Sequence, residues 1–283
     1  LEDAFGWGRD QISFAIAVNV LLFGLTAPFA AALMERFTIR KVVMAALTTV
    51  STGAFLTTFV NAPWQLVLTW GVIVGIGTGS MALVFAATIA NRWFVKRRGL
   101  VVGALTAAAA TGQLVFLPGL TSLSESYGWK SIGLTIGAAA MLMVPMIYLF
   151  LREKPADLGM LPYGAPADWQ APAKPTMNAA TLAFVTLKEA SAHRDFWILV
   201  GSFFVCGLST SGLIGTHFIP AAHDHGMGQV VAASLLALIG VFDVIGTLAS
   251  GWLTDKFDPR KLLFFYYFLR GLSLFLLPSI LFA

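Results

Sequence analysis

Charge is scarce in this sequence. Acidic and basic residues fill 11% of its 283 positions, against roughly a quarter in an ordinary soluble domain. Hydrophobic residues fill 58%. A water-soluble globule of this length cannot cover its surface with so few ions, and a disordered chain does not carry so much apolar side chain. Cysteine is almost missing too: Cys206 stands alone, which excludes an intramolecular disulfide and a multi-cysteine metal site. There is no signal-peptide pattern, nucleophile elbow, His-Glu-x-x-His run or phosphate loop, so the common enzyme classes have no support. Gly75-Ile76-Gly77-Thr78-Gly79-Ser80 imitates a nucleotide loop, but no strand precedes it and serine ends it. What is abundant is glycine (27) and tryptophan (8), suited to close-packed helices in lipid with rings at the interface. The reading is a membrane protein with the bilayer as its solvent, no cofactor and no nucleic-acid partner.

A bilayer core about 30 Å thick needs roughly 20 apolar residues per helix. Long apolar runs predict spans at 11–34, within 42–91, at 99–124, 131–151, 196–220, 229–254 and 262–283, uncharged but for Asp243 and Arg270 in the last two. The run 42–91 is too long for one helix and breaks at Asn61-Ala62-Pro63-Trp64. That makes eight helices, five before a proline- and charge-rich segment at 152–195 and three after it. Lysine and arginine set the orientation. Fifteen of the 18 lie in 35–41, 92–98, 152–194 and 256–261, two (Arg9 and Lys130) lie on the other side, and the last, Arg270, is inside a span. This positive-inside bias places the 152–195 loop in the cytoplasm and accounts for the net charge of +4.

Two short loops match at an offset of 220 residues: Leu33-Met34-Glu35-Arg36-Phe37-Thr38-Ile39-Arg40-Lys41 and Leu253-Thr254-Asp255-Lys256-Phe257-Asp258-Pro259-Arg260-Lys261. Topology explains the bases. It does not explain an acid at the same place in both copies, at a helix C-terminus where the macrodipole disfavours it. A brace between neighbouring helices does. Two parallel halves joined by a long loop resemble the major facilitator superfamily. The resemblance implies an all-α membrane fold of twelve helices, of which about eight are here. It makes 1–151 the N-terminal half, 152–195 a cytoplasmic loop and 196–283 the start of the C-terminal half. It also implies that Glu35, Arg36, Arg40, Asp255, Lys256 and Arg260 form a gate on the cytoplasmic side. Thr38 stands where the superfamily usually has glycine, and Ala31 replaces the leading glycine that the second copy keeps as Gly251; both leave the first-half brace looser.

The segment Trp93-Phe94-Val95-Lys96-Arg97-Arg98-Gly99-Leu100-Val101-Val102-Gly103 resembles a signature of the monocarboxylate transporter family and its bacterial relatives. Phe5-Gly6-Trp7-Gly8-Arg9-Asp10-Gln11-Ile12-Ser13 and Leu151-Arg152-Glu153-Lys154-Pro155-Ala156-Asp157-Leu158-Gly159 are similar to further segments of that family. On that resemblance the chain is a fragment without helix one and helices ten to twelve. Relatives carry on helix one a lysine used in substrate and proton handling, and without that helix the cavity is open on one side, so no transport is expected of the fragment alone.

Only Asp243 and Arg270 are formally charged deep in predicted spans, and a buried ion is costly unless paired. Asp243 is 12 residues from Asp255 and Arg270 is 9 from Lys261, about 18 and 14 Å along their helices. At those depths arginine's long side chain can bridge the gap. The bland reading is a structural ion pair. The functional one makes Arg270 the anchor of a carboxylate and Asp243 the group that titrates. Relatives have an aspartate at the Asp243 position with an arginine one turn later, where this chain has Thr247. Asn19 and Gln113 lie mid-span and read first as interhelical hydrogen bonds, then as ligands. Gly71, Gly75 and Gly79 read as close helix packing. His217 reads as a wetted helix end, and His223-Asp224-His225 as a solvated loop and no metal site. The expectation is an inner-membrane, multi-pass, monomeric carrier of a small organic anion with a proton. An oxalate–formate type exchanger or an efflux carrier is the alternative, and a membrane sensor or scaffold a weaker one.

Overall fold

The computed structural model describes residues 5–81, 83–166, 168–170, 178–215 and 229–281. These are almost wholly helical: α1 Arg9–Arg36, α2 Ile39–Thr57, then Pro63–Leu66, Val67–Val74 and Gly75–Gly79, which run on as α3. After it come α4 Leu83–Trp93, α5 Arg98–Tyr127, α6 Lys130–Phe150, α7 Ala179–Ser191, α8 Arg194–Gly207, α9 Gln229–Thr254 and α10 Pro259–Leu281. Val67–Val74 and the continuation of α8, Leu208–Gly215, are π-helical. The 152–195 segment contains α7 and a 3₁₀ turn at Pro155–Leu158.

Local chemistry sets the boundaries. Thr38 is extended and its Oγ1 accepts the backbone N–H of Lys41 at 3.2 Å, opening α2 directly after α1 ends. Pro63 opens α3, where its missing N–H leaves nothing unsatisfied. The Gln65 side chain accepts from the N–H groups of Asn61 (2.7 Å) and Ala62 (3.1 Å). Asp258 caps α10 through the N–H of Arg260 at 2.9 Å. Asp10–Arg36, Ile39–Thr57, Pro63–Trp93 and Lys130–Phe150 are long and apolar enough to cross a membrane among the described residues, with shorter apolar stretches at Arg98–Ala109 and Leu238–Thr254. The exposed side chains include Phe14, Leu21, Phe116, Phe150, Phe203 and Phe275. Apolar exposure on that scale is what lipid contact produces.

Two compact units are present: Leu1–Lys96 with Val115–Thr186, and Arg97–Leu114 with Leu187–Ala283. The start of α5 groups with the second. In the first unit α2 packs along α6, where Ser51 Oγ donates to the Gly137 carbonyl at 2.7 Å. Met34, Ile39, Val42 and Val43 form a core with Val84, Phe85, Ile89 and Ile147 around it. The glycine stripe presses α3 on α1. A Cβ on Gly75 would lie 3.0 Å from the Asn19 carbonyl oxygen, and one on Gly79 would lie 2.6 Å from that of Phe23. Close packing is the correct reading of that stripe. α7 lies on α1 through Ala183 and Leu182 against Ala32 and Phe29. In the second unit α5 meets α9, and α10 meets both α8 and α9.

Candidate functional site

Arg92, at the end of α4, gathers three chain segments at the basic end of the first unit. Its Nη2 lies 3.3 Å from Glu35 Oε1 and donates to the Met34 carbonyl at 2.8 Å, while its Nη1 donates to Glu153. The same Glu153 oxygen accepts the N–H of Ile39 at 3.0 Å, capping α2. The other, Oε2, is buried with no hydrogen-bond partner among the described residues. The acid of the first loop thus braces α1 to α4 and to the segment after α6. Thr38 supplies a cap in place of the expected glycine, so this copy carries more ties than the sequence alone suggests. Arg40 stacks on the Tyr148 ring at 5.3 Å, and Arg36 lies 5.8 Å from the Phe37 ring.

The chain just past the 151–159 segment also meets the signature segment 93–103. Beyond the Arg92–Glu153 pair, Tyr163 N–H donates to the Trp93 carbonyl at 2.8 Å, and Val95 N–H to the Tyr163 carbonyl at 2.9 Å. The Phe94 and Tyr163 rings are 6.0 Å apart. Arg97 follows in the left-handed region (φ 63) and turns the chain into α5, a conformation costly for a side chain with a Cβ.

The second loop's acid does a different job. Asp255 Oδ1 accepts the N–H of Gly99 at 2.8 Å, and Oδ2 that of Leu100 at 2.9 Å. A carboxylate here meets the positive end of α5, satisfying two orphan donors and the dipole together. Just beside this cap the two backbones touch. A Cβ on Gly251 would lie 2.5 Å from the Gly99 carbonyl oxygen, and one on Gly103 would lie 2.8 Å from that of Thr247. Gly103 of the signature and Gly251 of the loop motif are therefore the two sides of one helix crossing. Lys256 lies 4.0 Å from the Trp252 ring, and Arg260 lies 3.5 Å from Asp195. The latter pair is exposed and worth little.

Along the same seam runs an open groove of about 680 Å³ between α5, α9 and Tyr266 of α10. Asp243 lines it with Thr247, Thr106 and Ser250, and Arg98 lies at its far end. Arg270 is engaged elsewhere. Its Nη1 donates to Cys206 Sγ at 3.1 Å and its Nη2 to Thr210 Oγ1, both on α8 and its continuation. Tyr267 donates its hydroxyl to the Ser202 carbonyl one turn away. No ion pair joins Asp243 to Arg270 among the described residues. Asn19 Nδ2 donates to the Trp70 carbonyl at 2.7 Å, within the π-helical stretch of α3. That is an interhelical tie. The Gln113 side chain, His217 and the His223-Asp224-His225 run lie outside the described residues.

The model of the Major Facilitator Superfamily matches residues 1–283. The chain belongs to that superfamily. Within it, the chain is 25% identical over 286 residues to the uncharacterized MFS-type transporter YcxA of Bacillus subtilis (strain 168), covering 97% of the chain and 63% of that protein. It is 28% identical over 264 residues to monocarboxylate transporter 11 of Mus musculus, covering 90% and 53%. To the uncharacterized MFS-type transporter YhjX of Escherichia coli (strain K12) it is 27% identical, covering 87% and 58%. The chain therefore spans 53–63% of the length of these superfamily members.

Sequence reasoning counted Arg92 and Glu153 only as a topological base and part of a signature. The available signal was position: Arg92 ends an uncharged run beside Trp93, and Glu153 sits between Arg152 and Lys154. Cys206 and Thr210 gave no signal, because a thiol and a hydroxyl in an apolar run read as ordinary helix residues.

Proposed function

We propose that the protein is a secondary carrier that moves a small organic monoanion, of the monocarboxylate class, together with a proton by alternating access. The observation that carries this reading is Asp243: an ionisable side chain in the middle of α9, lining an open groove, with the glycine crossing at Gly251 eight residues further on and the Asp255 cap twelve. A scaffold has no need of an acid there. The names of the monocarboxylate transporters among the relatives support the substrate class.

In this reading 1–151 and 196–283 belong to the two halves, one chain is the transport unit, and the basic ends face the cytoplasm. The Asp255 cap, which ties α9 to α5, holds that side shut and inward opening breaks it, while the Glu35–Arg92–Glu153 brace keeps the basic end of the first half together. Arg270 anchors the carboxylate and Asp243 carries the proton. Coupling does not need their direct pairing. α10 brings Tyr266 to the groove of Asp243 and Arg270, one turn later, to its own site. Ionised Asp243 repels a carboxylate approaching Arg270 through a low-dielectric medium; protonation removes that repulsion. Proton and monoanion then bind with positive linkage.

The test is radiolabelled lactate uptake by proteoliposomes holding the full-length protein. An inward proton gradient should accelerate uptake, and Asp243→Asn should abolish the acceleration while preserving exchange of preloaded lactate. An undiminished gradient response in Asp243→Asn would remove Asp243 from the mechanism. Uptake that needs a preloaded anion in the unaltered protein would make it an exchanger.

A further inference from the structure

Arg270 has an unusual set of partners for a cation inside a membrane span. No carboxylate pairs with it among the described residues. Its two Nη groups rest on a thiol and a hydroxyl, Cys206 Sγ and Thr210 Oγ1. Both acceptors are neutral, and sulfur is a weak one. Both are also committed: Thr210 donates its own proton to the Cys206 carbonyl at 2.8 Å, and the two side chains lie 3.9 Å apart. Ser202, Cys206 and Thr210 recur every four residues, so they form a polar stripe on one face of α8. Tyr267 and Arg270 meet that stripe from α10. Thr210 stands in the π-helical Leu208–Gly215 stretch, a local distortion of the kind common where helices bind ligands.

We infer that Cys206, Thr210 and Arg270 form one anion site, in which a bound carboxylate and a covalent adduct on Cys206 exclude each other. The inference rests on the reading of Arg270 as the anion anchor and adds its other two walls. A guanidinium presents paired N–H groups that match the two oxygens of a carboxylate. A carboxylate arriving at Arg270 replaces two neutral acceptors with two charged ones and neutralises a cation that is otherwise uncompensated in the span. Its oxygens then occupy the space in front of Nη1, which is the space Sγ faces. The half-buried thiol is open to reagents when the anion is absent and covered when it is present. In the other direction, an adduct on Sγ fills the place of the carboxylate.

The experiment follows modification of Cys206 by N-ethylmaleimide, whose double bond takes the sulfur on one carbon and the thiol proton on the other. The full-length protein in proteoliposomes is treated with lactate or with chloride at equal ionic strength, and the Cys206 peptide is quantified by mass spectrometry over time. Lactate at about four times its half-saturating concentration should slow modification about fivefold, as occupancy of the site requires, and chloride should not. Arg270→Gln should lose the protection. Thr210→Val should change the lactate concentration that gives half-protection. Whatever uptake Cys206→Ser retains should be insensitive to the reagent. Equal modification rates with and without lactate, in a protein whose uptake still requires Arg270, would overturn this inference and leave the proposed function standing. Protection that survives Arg270→Gln, or a Cys206 that never reacts, would overturn it as well. Arg270→Gln with unimpaired uptake and no protection in the parent would overturn both readings together.

Discussion

Arg92 is the residue on which most of the first unit's basic end depends. It holds two carboxylates, and removing it leaves the Glu153 side chain buried beside Glu35 with only the Ile39 N–H as partner. Breaking a fully buried pair costs roughly 3–5 kcal/mol. Arg92 and Glu153 each keep 20% of their side chains exposed, so Arg92→Gln should cost about 2 kcal/mol, read as lowered thermal stability in detergent. Glu35, 46% exposed, should matter less, with Glu35→Gln costing about 0.5 kcal/mol. A larger loss from Glu35→Gln than from Arg92→Gln would show that the brace is not centred on Arg92. Asp255 acts on backbone N–H groups, and Asp255→Ala should cost about 1 kcal/mol in cap energy. In the proposed alternating-access cycle that cost falls on the state in which α5 and α9 touch, so the closed population should drop by about fivefold without loss of helix content. Spin labels placed near the two basic ends would measure it by their distance distribution, and an unchanged distribution would mean that Asp255 does not hold the closed state.

At the scale of elements, the α5–α9 crossing depends on two helices having no side chain at the point of contact. Gly251→Val puts a branched side chain 2.5 Å from where the Gly99 carbonyl now lies, and neither backbone can give way without parting the helices. The variant should fold and keep its circular dichroism; on the proposed function it should fail to close at the basic end, so that uptake falls while binding of lactate persists. Full uptake by Gly251→Val would show that closure does not need this contact. The helices themselves were legible in the sequence, because charge within a span is costly and the apolar runs 11–34, 131–151 and 229–254, the last broken only by Asp243, fall within a few residues of α1, α6 and α9. The acid repeated at Glu35 and Asp255 was legible as a brace. Its two different partners were not, since which N-terminus or arginine lies nearby is decided by helix packing. The same holds for Asp243 and Arg270. A rise of about 1.5 Å per residue gives their depth, but depth says nothing of direction around the helix, and Arg270 turns to Cys206 and Thr210 instead. Asn19 was readable as a tie but not its partner, a carbonyl in a π-helical turn.

If the protein runs the proposed proton–monoanion cycle, with Asp243 ionised in the empty state, the decisive quantity for the whole molecule is the charge that crosses the membrane in one cycle. In the empty carrier, Asp243 and Arg270 contribute one negative and one positive charge. Loaded with a proton and a monoanion they again sum to zero. Neither the loaded nor the empty reorientation then carries net charge from these two groups, and uptake should follow the proton gradient while ignoring membrane voltage. Thr247 makes that balance possible in this chain. It lines the groove one turn from Asp243, at the position where the monocarboxylate-type pattern carries an arginine. Thr247→Arg adds one fixed positive charge to both reorientations. A full elementary charge crossing 100 mV is worth about 2.3 kcal/mol, so even partial movement through the field should be measurable. Lactate uptake clamped with potassium and valinomycin should be indifferent to voltage in the parent and voltage-dependent in Thr247→Arg. A parent that already responds to voltage would show that proton and anion are not carried one for one. A Thr247→Arg variant that remains indifferent would show that the groove of Asp243 does not move through the membrane field during the cycle.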